Sequence, residues 1–221
     1  QLEEETGYVI GDCLVGAAFL SYVGPFTRSF RIQMMDKTFL PYIVTNELPM
    51  REGASARSLL TTDVEVAKWN TEGLPADPVS VQNGIIAVQC VRWPLLIDPQ
   101  LQGISWIKEH EKAKQLKTTR LGQKTMLPII KEALRNGWSV MIENMGERVE
   151  AVLSAVIGRQ TITRAGQQYV PIGGEEIEYH KDFRLIMQTK LSNPHYPPEI
   201  QAETTLINFS ITEDGLEDQL L

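Results

Sequence analysis

From about residue 69 onward, short apolar runs alternate with helical stretches, and this alternation limits the fold more than any other feature of the chain. Runs over 94–97, 116–121, 139–142, 183–188 and 206–211 predict five strands. Helices are predicted over 104–114 and 125–136. In the second, Leu127, Ile130 and Leu134 share one face and Gly137 supplies the stop. Helices between short apolar strands imply an α/β fold: a three-layer sandwich around a mainly parallel five-stranded sheet. Residues 161–180 break the pattern, with two-residue alternation and turn glycines. They predict a β-hairpin inserted before the fourth strand.

Residues 2–48 are helical in pattern, with apolar side chains on nearly every face, so burial on several sides is expected. Gly24-Pro25 interrupts this stretch, and a second helix is predicted over 29–42. Residues 49–58 form a polar joint. The domains predicted are therefore a helical extension, 1–58, and a large α/β subdomain, 59–221.

The net charge of −7 argues against nucleic acid, which needs a clustered basic face. The basic residues are interleaved with acids, as in Lys108-Glu109-His110-Glu111-Lys112, a pattern of solvated helix faces. Cys13 and Cys90 are far apart and in no CxxC pair, which suggests a reducing compartment without structural zinc. The longest apolar stretch, 14–26, is too short for a bilayer, so no membrane partner is expected. His110, His180 and His195 lack metal-ligand spacing, and no metal site is expected. The start at Gln1 and the close on Leu216-Glu-Asp-Gln-Leu-Leu221, which reads as an unfinished helix, suggest part of a longer chain.

A phosphate-binding loop needs a strand, a glycine-rich turn and Gly-Lys-Ser/Thr opening a helix. The strand at 94–97, the turn Asp98-Pro-Gln-Leu-Gln-Gly103 and the helix from Ile104 supply that context. Asp98 takes the first glycine position, Gly103 the second, Ile104 the lysine and Ser105 the hydroxyl. The missing lysine removes a charge-assisted contact of roughly 1.5–3 kcal/mol. Asp98 sets a carboxylate near the phosphates, a repulsion of about 4 kcal/mol at 4 Å and intermediate dielectric. Pro99 offers no N–H to a phosphate cradle. The third strand closes on Glu143-Asn144 where a working ATPase has Asp-Glu, so the general base is absent. The plainer role for Glu143 and Asn144 is a polar strand end capping the next turn. A divergent site that binds ATP through Ser105 and Glu143 without turnover is the rival reading.

Several motifs resemble dynein heavy chains, and specifically the fifth of their six AAA+ modules. They are Trp93-Pro-Leu-Leu-Ile-Asp-Pro-Gln100 with Trp106-Ile-Lys108, and Asn193-Pro-His-Tyr-Pro-Pro-Glu-Ile200. Ile207-Asn-Phe209 followed by Gly215-Leu-Glu-Asp-Gln-Leu-Leu221 is a third. Gly11-Asp12 with Ala17-Ala-Phe-Leu-Ser-Tyr22, and Gly73-Leu-Pro-Ala-Asp77, agree with them. Asn-Pro-His-Tyr and Gly-Leu-Glu-Asp-Gln resemble axonemal forms, and 98–104 leans toward outer-arm chains. The resemblance implies a P-loop NTPase-like (AAA+) fold in which the N-terminal helices follow the microtubule-binding stalk. It implies a module that does not hydrolyse nucleotide and relays motion around the ring, and no cofactor is expected in it. ATP and Mg would sit in other modules of the parent chain. Thr189 falls where a sensor residue would sit, and no Arg after Arg184 offers a finger to the preceding module. Implied partners are the neighbouring modules and the linker, the microtubule through the stalk, and dynein intermediate and light chains. The implied place is the cytoplasm and cytoskeleton, in the axoneme of a cilium or flagellum.

Overall fold

The computed structural model describes residues 2–210, with side-chain surroundings from residue 7. The end of the predicted fifth strand at 211 and the motif at 215–221 lie outside the described residues. Within them, one compact unit runs to Cys90 and a second from Val91 to Ser210.

The first unit is helical. Helix α1 (Leu2–Ala18) widens into a π-helical turn at Phe19–Val23 and ends at Gly24-Pro25. Helix α2 (Arg28–Met34), a second π turn (Met35–Phe39) and α3 (Leu40–Thr45) form one further helical run, three residues longer at its end than predicted. Pro41 does not stop it, because it sits in the first turn of α3 where a missing N–H is tolerated. Val15, Ala18, Phe19 and Val23 are buried, whereas Tyr8, Val9, Ile10 and Leu14 are exposed. Only one face of α1 is therefore covered among the described residues, not the several expected. The Gly11 N–H donates to the Pro49 carbonyl at 3.1 Å, and a Cβ at Gly11 would come within 2.3 Å of that oxygen. Only glycine lets the 46–55 loop lie this close. Asp12 then takes the Arg51 N–H and pairs with its guanidinium at 3.2 Å.

Three capped helices complete this unit. Ser55 and Ser58 form a capping box on α4 (Ala56–Leu60), and Thr62 and Glu65 form another on α5 (Asp63–Thr71). Asp77 accepts the Val79 and Ser80 N–H groups to start α6 (Pro78–Gln89), with Pro78 in its first turn.

The second unit carries the sheet. Its elements are β1 (Trp93–Ile97), α7 (Gln102–His110), a 3-10 turn at Lys112–Lys114, β2 (Lys117–Arg120), α8 (Met126–Asn136) and β3 (Ser139–Glu143). After α9 (Ser154–Ile157) come β4 (Ile162–Arg164), β5 (Gln167–Ile172) and β6 (Glu175–Glu178). The chain then forms β7 (Arg184–Thr189), α10 (Pro198–Glu203) and β8 (Thr204–Asn208). The main sheet has the order β2-β3-β7-β1-β8, and every pairing is parallel. β8 starts two residues before the predicted 206, because Thr204 and Thr205 extend the pairing to Trp93 and Pro94, and it stops at Asn208, short of the predicted 211, because its partner β1 ends at Ile97.

The insertion is a three-stranded antiparallel sheet, β4-β5-β6, not a single hairpin. The reason is a second tight turn. Ala165 and Gly166 have positive φ, as do Gly173 and Gly174, so each pair can close a two-residue hairpin loop.

One face of the main sheet presents Leu95, Val140, Ile142, Leu185 and Met187 to Ile130, Ala133 and Leu134 of α8. Val156 and Ile157 of α9, and Val170, Ile172 and Ile177 of the insertion, close the same core. Each fully buried Leu or Ile here contributes roughly 1.5–3 kcal/mol. The alternate residues Leu96, Met141, Ile186 and Ile207 are equally buried, so both faces are covered.

Candidate functional site

In open α/β sheets, ligands bind outside the carboxyl ends of the strands where the strand order reverses. Here β1 is followed by β2 three places away, while β8 lies on the other side of β1. The exits of β1, β7 and β3 therefore define the candidate cleft.

Asp98 leaves β1 and turns inward. It is completely buried. One carboxylate oxygen accepts the Gln102 N–H at 3.0 Å and the other the Ile104 N–H at 2.8 Å. Burial raises its pKa from the ordinary aspartate value, and the N–H groups of residues 101–104 pull the other way. These N–H groups open α7, and in a phosphate loop they would hold the anion. Here they donate to the Asp98 carboxylate of the chain itself. Leu101 adopts the left-handed conformation, φ 64°, to bring the turn around Asp98. Beyond the repulsion of phosphate expected of Asp98, its carboxylate engages the N–H groups that a phosphate loop would turn to its anion.

The other loop positions are also engaged. A Cβ at Gly103 would lie 2.8 Å from the Phe209 ring, so this glycine admits Phe209 against the start of α7. Ile104 is buried. The Ser105 hydroxyl donates back to the Leu101 carbonyl at 2.7 Å, on the exposed side of α7. Trp106 is fully buried.

At the end of β3, Glu143 pairs with Lys108 of α7 at 2.7 Å and Arg120 of β2 at 3.4 Å. Burial works to raise its pKa, but Lys108 and Arg120 prevail and hold the carboxyl below its usual range. Asn144 is exposed with φ 53°, and its N–H donates to the Gln188 side chain at 2.9 Å. Thr189 is the last residue of β7 rather than the first beyond it. Its buried hydroxyl donates to the Met145 carbonyl at 2.7 Å and accepts the Leu191 N–H at 3.1 Å.

Sequence reasoning overlooked Gln188. This fully buried amide accepts from Asn144 and donates to the Asp98 carbonyl at 3.1 Å, tying the exits of β3, β7 and β1. The signal was a polar residue closing an otherwise apolar run. Lys108 and Arg120 were likewise missed as partners of Glu143, since only the parallel register sets Arg120 beside it. Among the described residues there is no group of three His, Cys, Asp or Glu able to hold a metal, and no helix long and apolar enough to cross a membrane.

A parallel sheet in this order, with a strand–turn–helix at its reversal point, defines an AAA+-like member of the P-loop α/β class. The chain belongs to the dynein motor-region family: the model described as the ATP-binding dynein motor region matches residues 67–221. A second, the microtubule-binding stalk of dynein motor, matches residues 2–43. Among curated relatives, the dynein alpha chain of the flagellar outer arm of Chlamydomonas reinhardtii is 52% identical over 222 residues. The ciliary dynein beta chain of Heliocidaris crassispina is 48% identical over 223 residues. Both matches take in 100% of this chain. Dynein axonemal heavy chain 17 of Homo sapiens is 50% identical over 213 residues, or 96% of it. The chain spans 5% of the length of each of these relatives.

Proposed function

We propose that this chain is a non-catalytic AAA+ module, the fifth of six, in the motor ring of an axonemal dynein heavy chain. It relays conformational change around the ring during ATP-driven movement on microtubules. The observation that carries this reading is the buried Asp98 carboxylate in the cradle at the start of α7. A phosphate could enter only if Asp98 left, with the loss of charge-assisted bonds of roughly 1.5–3 kcal/mol each. The absence of a carboxylate at Asn144, the double ion pair of Glu143 and the engaged hydroxyls of Ser105 and Thr189 support the same reading.

The relatives' names, with their flagellar outer arm, ciliary and axonemal terms, support a place in the axoneme. The match of 2–43 to a microtubule-binding stalk supports microtubule engagement by the parent chain through that element. The partners in this reading are neighbouring modules and the linker of the same heavy chain, with intermediate and light chains in the complex. ATP and Mg act in other modules. The test is a structure of the complete motor in saturating Mg-ATP. The cradle between Asp98, Ser105 and Glu143 is expected to hold no adenine nucleotide; clear density for one would instead support nucleotide retention without turnover.

A further inference from the structure

The stretch matching the stalk model and the stretch matching the motor-region model meet inside the first compact unit, where one buried cation joins them. Arg31, on α2, is 2% exposed. Its Nε–H donates to the Phe26 carbonyl at 2.8 Å and Nη2 to the Gly24 carbonyl at 2.9 Å, both within its own segment. Its other bonds cross to α6: Nη2 to Asn83 Oδ1 at 2.7 Å and Nη1 to Gln82 Oε1 at 3.2 Å. All four acceptors are neutral oxygens. Burial lowers the Arg31 pKa to about 10, with the charge of Asp77 opposing, so the group stays charged at neutral pH.

A desolvated guanidinium held by neutral acceptors is costly, and apolar residues of similar volume often stabilise as well or better. Stability alone is therefore a poor reason for it. What the planar fork does supply is direction, because each donor points at one acceptor and a sliding helix breaks several bonds together. Residue 31 lies in the stalk-matching stretch, and residues 82 and 83 lie in the motor-region stretch. Helix α6 then runs into β1 through residues 90–92, and β1 ends at the Asp98 turn.

We propose that Arg31 is a positioning residue that carries displacement of the stalk-matching helices into α6, the helix of the motor-region stretch that its guanidinium grips. The proposal rests on the relay reading of the module. Its test uses the complete heavy-chain motor carrying Arg31→Met or Gln82→Leu, with ATP turnover measured without and with microtubules. Arg31→Met is expected to leave basal turnover and microtubule affinity unchanged while microtubule stimulation falls at least about fivefold. Gln82→Leu, which spares the bonds to Gly24, Phe26 and Asn83, lowers stimulation in the same direction. A proportional loss of basal and stimulated turnover in Arg31→Met marks a merely structural residue and overturns the proposal, as does full stimulation. Should Arg31→Met not fold, Gln82→Leu decides alone, and unchanged stimulation in it is the overturning result. Nucleotide density beside Asp98 would count against the non-catalytic reading without altering this ratio, so the two failures are distinguishable.

Discussion

At the scale of single residues, Asp98 does two things at once. It stands where the phosphate-loop pattern has a glycine, and its carboxylate accepts the N–H groups that open α7. Asp98→Ala strips two buried N–H groups of their acceptor but also removes a carboxylate that burial disfavours. The expected net loss is about 1–3 kcal/mol in denaturant unfolding. Added sulfate should recover part of that loss in the variant and little in the parent protein, since only the variant has an open cradle. Glu111 tests the opposite electrostatic sign. It is buried, it accepts the Ser139 hydroxyl at 2.8 Å, and Lys114 lies 3.1 Å away. Burial works to raise its pKa, but Ser139, Arg184 and Lys114 hold it below the ordinary glutamate value. The unfolded chain then binds this proton first as pH falls. The stability Glu111 provides is complete above the usual glutamate pKa and is lost as pH drops through the lower folded value. Unfolding free energies measured from pH 7 downward should show a shallower acid limb for Glu111→Gln. Asp98 runs the other way: its raised pKa is a cost at neutral pH that protonation relieves.

At the scale of elements, α8 shows how a local signal and a tertiary contact reinforce each other. Leu127, Ile130 and Leu134 made the helix legible, and Gly137 marked its end. The structure gives that glycine a second duty. Its φ is +72°, and a Cβ there would lie 2.3 Å from the His180 ring, while the His180 N–H caps the Leu134 carbonyl at 2.9 Å. Gly137→Ala should therefore cost more than the roughly 1–2 kcal/mol of left-handed strain alone, as chemical denaturation would report. The insertion was legible as β structure but not as three strands. Ala165-Gly166 is a weaker turn signal than Gly173-Gly174, and a β run without a clear break reads as one arm of a hairpin. Strand limits were legible to within two residues except at the end of β8, which stops at Asn208, three residues before the predicted 211, because pairing partners decide where an extended run stops. The additional caps on α4, α5 and α6 follow from Ser55, Thr62 and Asp77.

At the scale of the whole molecule, the proposed non-catalytic role predicts that changing the Asp98 turn leaves turnover alone. Asp98→Asn in the complete motor should not change the basal ATPase rate, measured under saturating ATP, provided the motor assembles; a large fall would indicate that the site takes part in turnover. The spacing of short apolar runs and helices by itself determined a parallel α/β sheet and a strand–turn–helix in which Ile104 and Asn144 stand where the phosphate-loop ATPase pattern has a lysine and a carboxylate. Those conclusions depend on side-chain period and residue type, which are local properties. Only the tertiary structure decided that the Asp98 carboxylate fills the cradle, that Gln188 ties three strand ends, and that Arg31 joins two helices more than fifty residues apart. Each of these depends on which buried polar group finds a partner across the fold. Burial makes an unpartnered group costly, yet the linear sequence does not say who the partner is.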